Sequence, residues 1–446
     1  MSFEHALAAA AVFANPETFD TFRKHLEPQW IEGALAATGT ATIRKRRLPA
    51  EQVVWVVLGM ALFRDQSIAA VVSKLDLALP ERPGTSASKG SIAEARARLG
   101  SEPMKWLFET SAAKWSTEAA TEVKWRGLAV YGVDGSSLRV PDSAENRATF
   151  GGQSGREGTE SGYPLVRVVT MMALRSHVLR GVVVSPYAKT SEVTESALLF
   201  KLLTDNTLTI VDKAYLGASV LLGIERGGPE RHWLTRALKS TAYVVIERNG
   251  PGDELVEMDV SSQARRKDPT LPKTWRARAI RYQMPGFPPS VLLTSLLDRK
   301  KYPTREIVAL YHERWELELG YDEMKTHMLN REEAIRSRTP EGVRQELWGL
   351  FLAYNMVRLE MARVAVEAKT EPTRISFIES LRLIRSAWEW LSVASPGAIP
   401  KRLAELRADM KRYVLPARRR ERRFPRAVKI KMSAYPRKRP KVERAK

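Results

Sequence analysis

Not one cysteine occurs among the 446 residues. Disulfides, thiolate catalysis and cysteine-ligated zinc or iron–sulfur sites are thereby excluded. No segment reaches the ~18–20 apolar residues that a membrane span needs; the best run is 53–63. The opening MSFEHALAAAAVFA has an acid as its first charge and no basic residue before its apolar stretch, so it predicts a helix and not a signal peptide. No internal repeat is found. These absences predict a cytoplasmic chain with no membrane partner.

Acids are in short supply. Against 72 lysines and arginines stand 51 aspartates and glutamates, a formal charge of +21. That imbalance favours a polyanionic partner but by itself selects no activity. An apolar fraction of 44% and 11 tryptophans argue for a folded chain, long enough for two to four domains with at least one sizeable core.

Residues 1–120 read as a helical N-terminal domain. The basic run 44–47 leads into a helix over 50–64, a shorter one follows over 67–75, and a serine-capped helix ends at Gly100. Two short helices, a loop and a helix carrying Lys89, Arg96 and Arg98 resemble a helical DNA-reading module. An ordinary helical bundle with a solvated basic face is the alternative. From 121 to 237, strand-like runs at 127–133, 164–173, 178–185, 208–211 and 232–236 alternate with helices at 192–203 and 213–225, which predicts an α/β class with a mixed five-stranded sheet. Residues 238–300 carry only β signals and read as an insertion. Residues 301–370 return to helix, 371–415 add further helices, and 416–446 form a tail. Residues 411–446 hold 16 basic and 2 acidic residues, a net +14. That tail is expected to lack fixed structure without a partner and to touch DNA non-specifically.

The stretch 302–329 concentrates the chemistry. Pro303 and Thr304 signal a helix start, with Thr304 as N-cap, and no further proline follows until Pro340. At about 100° per residue, Tyr311, Arg314, Glu318 and Lys325 fall within an arc of about 60°. One acid between two cations and a phenol suits a face that meets a metal and phosphates. Asp134 and Asp212 each close an apolar β run and precede a polar turn, so they would be neighbours if their strands lie side by side. With Glu318 they would make three carboxylates, a set suited to magnesium or manganese. Asp142, Asp205, Asp298 and Asp322 are rivals that spacing does not exclude, and a strand-end aspartate is also an ordinary turn former.

The spacing Tyr311-x2-Arg314-x3-Glu318-x6-Lys325 resembles the tyrosine–arginine–glutamate–lysine signature of the DDE transposases of the bacterial insertion-sequence-four family. VYGVDGSSLRVPD around Asp134, TLTIVDKAYLGASVL around Asp212 and LPAEQVVWVVLGMALFRDQSI near the N-terminus fit the same family, and the resemblance spans residues 20–370. It implies a ribonuclease-H-like catalytic core in two parts, 121–237 and 301–370, interrupted by the β-rich insertion. It implies cut-and-paste movement of an insertion element: hydrolysis at inverted-repeat ends, then transfer of the 3′ ends into double-stranded target DNA by a homodimer. Asp134, Asp212 and Glu318 would hold two Mg²⁺ (or Mn²⁺) ions. Tyr311, Arg314 and Lys325 would hold phosphates, and Trp315 is a candidate to stack on a hairpin end. A nucleoid-associated, cytoplasmic location follows. Ala214 stands where many relatives have glycine. Two alternatives share much of the pattern, a two-metal endonuclease without strand transfer and a non-enzymatic DNA-binding protein.

Overall fold

The computed structural model describes residues 28–40, 48–74, 88–121, 123–154, 160–330, 335–391 and 399–416. The expectations for the first helix, the basic run 44–47 and the tail beyond 416 lie outside the described residues.

Strand β1 (Ala129–Arg139) is buried throughout its first five residues because helices cover both sheet faces. Side chains alternate across a strand, so Val130 joins one core while Ala129, Tyr131 and Val133 join the other. After a short ladder of β2 (Gln153–Ser154) with β3 (Glu160–Ser161), the hairpin β4 (Leu165–Ala173) and β5 (Leu179–Pro186) adds antiparallel to β1. Strands β6 (Thr207–Val211) and β7 (Arg231–Arg236) add in parallel on its other side. The five expected strands are therefore present with mixed directions, in the order β5-β4-β1-β6-β7.

Two expectations change. The 238–300 run contributes β8 (Val244–Gly250), β9 (Asp253–Asp259), β10 (Thr274–Tyr282) and β11 (Ser290–Thr294), and these do not stand apart. β11 pairs with β7, making one nine-stranded sheet, β5-β4-β1-β6-β7-β11-β10-β9-β8. Second, β1 does not end at Asp134. It pairs with β4 as far as Arg139, although its pairing with β6 stops at Val133↔Val211.

The helices α1 (Pro28–Ala37), α2 (Ala50–Leu62), α3 (Ile68–Lys74), α4 (Lys89–Leu99) and α5 (Glu102–Thr121) precede the sheet. α6 (Ala144–Phe150), α7 (Glu192–Phe200) and α8 (Ala218–Arg226) lie between its strands, and α9 (Ser262–Lys267) joins β9 to β10. The stretch 302–329 is α10 (Thr304–Tyr311), a 3₁₀ turn (His312–Arg314), α11 (Trp315–Asp322) and a π-helical turn (Glu323–Met328). It is not one uniform α-helix, and tight or wide turns of this kind often mark functional segments. Thr304 does not act as N-cap. It is the first helical residue, and its hydroxyl donates to Asp253 Oδ2 at 2.7 Å while accepting from Arg278 Nη2 at 3.0 Å. Arg278, 1% exposed, also donates to Asp253 Oδ1 at 2.8 Å and to the Tyr302 carbonyl at 2.7 Å, which ties the outer strands to the start of α10.

α12 (Pro340–Glu367) begins at a Thr339 cap with Pro340 in its first turn and is buried along most of its length between α2, α5 and the sheet. α13 (Phe377–Leu391) and α14 (Ile399–Lys411) pack on it. Polar residues on α12 are engaged: Asn355 accepts from the Leu179 amide at 2.8 Å and donates to its carbonyl at 2.9 Å. Among the described residues no helix is long and apolar enough to cross a membrane.

Candidate active site

The register Val133↔Val211 sets Asp134 and Asp212 at the same end of two adjacent parallel strands. Asp134 is the first residue of β1 beyond its pairing with β6. Asp212 follows β6 and caps a 3₁₀ turn (Lys213–Tyr215), accepting from the Lys213 amide at 2.7 Å. Ala214 lies in that turn without positive φ, so glycine is not required there.

The third acid arrives on α11, which two glycines bring close to the sheet. A Cβ at Gly132 of β1 would lie 2.7 Å from Leu317 Cδ1, and one at Gly320 would lie 2.8 Å from Met172 Sδ. Arg314 then bridges the two elements: Nη1 stands 3.7 Å from Asp134 Oδ2, and Nη2 is 3.4 Å from Glu318 Oε1. A guanidinium thus lies between two acids and balances part of their charge. Burial pushes the Asp134 carboxyl up to about 6. The Gly135 amide and Arg314 oppose the rise, and Glu192 and Asp212 add to it. Asp212 therefore belongs to the same electrostatic cluster. Oxygen donors of this kind fit a hard divalent cation. As placed, however, no three His, Asp or Glu side chains among the described residues stand close enough to hold a metal ion together.

Tyr311 is buried on the Asp212 side. Burial pushes its phenol up to about 12, with Arg314 and Arg236 pulling the other way. Lys325 reaches β1 and donates to Ser136 Oγ, and burial lowers its ammonium from the usual value. Trp315 is 40% exposed, with the Arg314 guanidinium 5.7 Å from its ring centre. Of the spaced signature, Arg314 and Lys325 thus contact β1 directly, at Asp134 and Ser136, and Glu318 pairs with Arg314.

Each rival carboxylate has another partner. Asp142 pairs with Arg147 at 2.6 Å and Asp205 with Arg231 at 3.2 Å. Asp298 accepts from the Lys300 and Lys301 amides, and Asp322 accepts from Thr326 at 2.6 Å.

On α4 the outcome is divided. Lys89 and Arg98 are exposed. Arg96 departs from the expected role: it donates to Gln345 Oε1 at 2.9 Å and Ser337 Oγ at 3.2 Å and stands 3.5 Å from Glu346. Its guanidinium ties α4 to α12 and is not offered to a DNA partner.

Several residues carried too little local signal to be picked out. Glu192, in the first turn of α7, lies against Gly135 and 3.3 Å from Arg167. Tyr321 donates to the Asp134 carbonyl at 2.8 Å. Behind α11, His177 Nε2 is 2.8 Å from Glu316 Oε2 and its Nδ1 3.3 Å from Glu323 Oε2. Tyr354 donates to Glu323 at 2.8 Å, and Arg358 pairs with the same carboxylate. Spacing would have flagged only Glu316 and Glu323, as acids flanking Glu318.

Burial alone would raise the Glu323 carboxyl, but Arg358 and His177 hold it down at about 2, against an ordinary value of 4.5. Its stabilising contribution is therefore complete above pH 4.5 and is lost as pH falls towards 2. Glu323→Gln is expected to remove a pH-dependent component of up to about 3 kcal/mol. Urea midpoints for both proteins across pH 2–5 check this, and parallel profiles would contradict it.

Two family models match the chain: one described as insertion element 4 transposase N-terminal, over residues 16–109, and one described as transposase DDE domain, over residues 125–356. The chain is 40% identical over 414 residues to the transposase InsG for insertion sequence element IS4 of Escherichia coli (strain K12), covering 92% of each. It is 32% identical over 233 residues to the putative transposase InsZ of the same strain, covering 52% of this chain and 76% of that one. A cryo-EM structure of a piggyBac transposase synaptic complex with hairpin DNA aligns over 90% of this chain and 86% of that chain, at 10% identity and a TM-score of 0.44. That likeness is too slight to bear on the site.

Proposed function

The chain belongs to the insertion-element-4 family of DDE transposases, enzymes of DNA transposition, and on that premise we propose that Asp134, Asp212 and Glu318 form its metal-binding catalytic set for cut-and-paste transposition. The observation that carries the reading is Arg314 spanning Asp134 and Glu318 while Asp212 closes the strand beside Asp134. The order β5-β4-β1-β6-β7 with its following helices supports a ribonuclease-H-like core, extended at one edge by β8–β11.

Asp134, Asp212 and Glu318 would hold the divalent ions, Mg²⁺ or Mn²⁺, which when bound would supply Lewis acidity for hydrolysis and for strand transfer at the 3′ ends. Arg314, Tyr311 and Lys325 grip phosphates of the element end. In doing so Arg314 turns from the carboxylates towards the strand, so DNA and the acids compete for one guanidinium. Trp315 offers a face on which an unstacked base or hairpin end rests. Lys89 and Arg98 on α4 contact duplex DNA further from the cut. Cutting both ends in one event calls for two copies of the chain, one at each inverted repeat.

Purified full-length protein, a duplex carrying the terminal repeat and Mg²⁺ are expected to give a nick at the repeat boundary, and a target plasmid then receives the 3′ ends. Chelation stops both reactions and leaves end binding intact. Cleavage without transfer would favour a simple endonuclease, and binding indifferent to metal with no cleavage a DNA-binding protein.

Lys325→Ala is expected to reduce the salt dependence of end binding by about one phosphate contact. Titrations at several salt concentrations read the slope. An unchanged slope would confine Lys325 to its bond with Ser136.

A further inference from the structure

We infer that Tyr321 is a positioning residue of this active site, its hydroxyl fixing the Glu318 helix to the backbone of Asp134; the inference rests on the assignment of the acids made above. Tyr321 lies three residues beyond Glu318, on the same side of α11. Its hydroxyl donates to the Asp134 carbonyl at 2.8 Å and accepts from Thr170 Oγ1 at 2.9 Å. Thr170 is the direct cross-strand partner of Asp134 and is 1% exposed. One phenol therefore joins the helix of one acid to the strand of another and to the neighbouring strand.

Three ties connect this helical segment to β1 near Asp134. Arg314 reaches the Asp134 carboxylate, Tyr321 its carbonyl, and Lys325 the Ser136 hydroxyl. The first and third use cations that the proposed function assigns to DNA phosphates, so both weaken as an element end is engaged. Tyr321 uses neutral groups, the Asp134 carbonyl and the Thr170 hydroxyl, that carry no charge to offer a phosphate. Its tie persists when Arg314 and Lys325 have moved, and the spacing between Asp134 and Glu318 then depends on it. Gly132 and Gly320 allow the close approach that the bond requires.

Tyr321→Phe keeps the ring and removes only the hydroxyl. In the full-length protein bound to a non-cleavable phosphorothioate element end, Mn²⁺ binding, followed by electron paramagnetic resonance, is expected to weaken about tenfold, on the scale of a misplacement near 1 Å. Single-turnover nicking at fixed Mg²⁺ is expected to fall about tenfold to a hundredfold, the scale of a misplacement near 1 Å. Rate is recovered in part at high metal concentration, and end binding in chelator is unchanged, a division that general loss of structure does not produce. Thr170→Val is expected to act in the same direction, and the double variant to be no worse than Tyr321→Phe. Should Tyr321→Phe fail to fold, Thr170→Val carries the same expected loss of Mn²⁺ affinity. Asp134→Asn separates the two claims. If it still cleaves, the acid assignment fails. If it is inactive while Tyr321→Phe matches the wild type in Mn²⁺ affinity and rate, the positioning role is overturned.

Discussion

Asp134→Asn, Asp212→Asn and Glu318→Gln are each expected to lower the rate of end cleavage by about a thousandfold or more, equivalent to about 4 kcal/mol of barrier. Each amide preserves volume but removes the charge needed to hold a divalent cation. Binding of the uncleaved end is retained, because the proposed phosphate contacts come from Tyr311, Arg314 and Lys325, and neutralising Asp134 or Glu318 frees Arg314 for the strand. Asp134→Asn carries a second signature. Its carboxyl is pushed up to about 6 by burial, so the ionised form is disfavoured in the fold and stability is lost as pH rises through that value. Without metal at neutral pH, the asparagine variant is therefore expected to melt above the wild type. Single-turnover nicking and thermal melting of the same preparations measure both effects. Near-normal cleavage by any of the three variants would remove that residue from the set.

The largest stability effect is expected at Arg358, 1% exposed and paired with Glu323 behind α11. Arg358→Met is expected to cost about 3–5 kcal/mol, because it leaves Glu323 buried without its principal counter-charge. The double variant Arg358→Met with Glu323→Gln is expected to recover most of that loss, since no buried charge is stranded. Urea unfolding of the four proteins of the cycle gives the coupling directly, and additive losses would mean that the pair is not the source. Cleavage should fall with Arg358→Met as well, because Glu323 lies five residues beyond Glu318 on the same helical segment.

The two aspartates were readable from the sequence because hydrophobic runs such as GLAVYGV and TLTIV end where the acids begin, and a parallel pair then makes them neighbours. The extent of β1 was not readable. Residues 134–137, Asp-Gly-Ser-Ser, have the composition of a turn, and only pairing with β4 about 35 residues away keeps them extended. Arg96 misled for a similar reason: its partners Gln345 and Glu346 lie some 250 residues further on. Thr304 has the chemistry of a cap, yet its hydroxyl joins a buried ion pair formed by distant strands. The π-helical turn at Glu323–Met328 carries no glycine or proline to announce it, and Met324 and Met328 are buried there. Local chemistry therefore singled out the three acids as candidates, while the contacts around them come from elements remote in the chain.

Asp134, Asp212 and Glu318 are proposed to surround one metal-binding locus. Fe²⁺ substituted into the full-length protein, with ascorbate and peroxide, cleaves the backbone beside the bound ion. Cuts clustered near residues 134, 212 and 318, competed by Mg²⁺ and lost together in Asp134→Asn, are the predicted result. Cuts at only one of the three, or a pattern unchanged in Asp134→Asn, would contradict it.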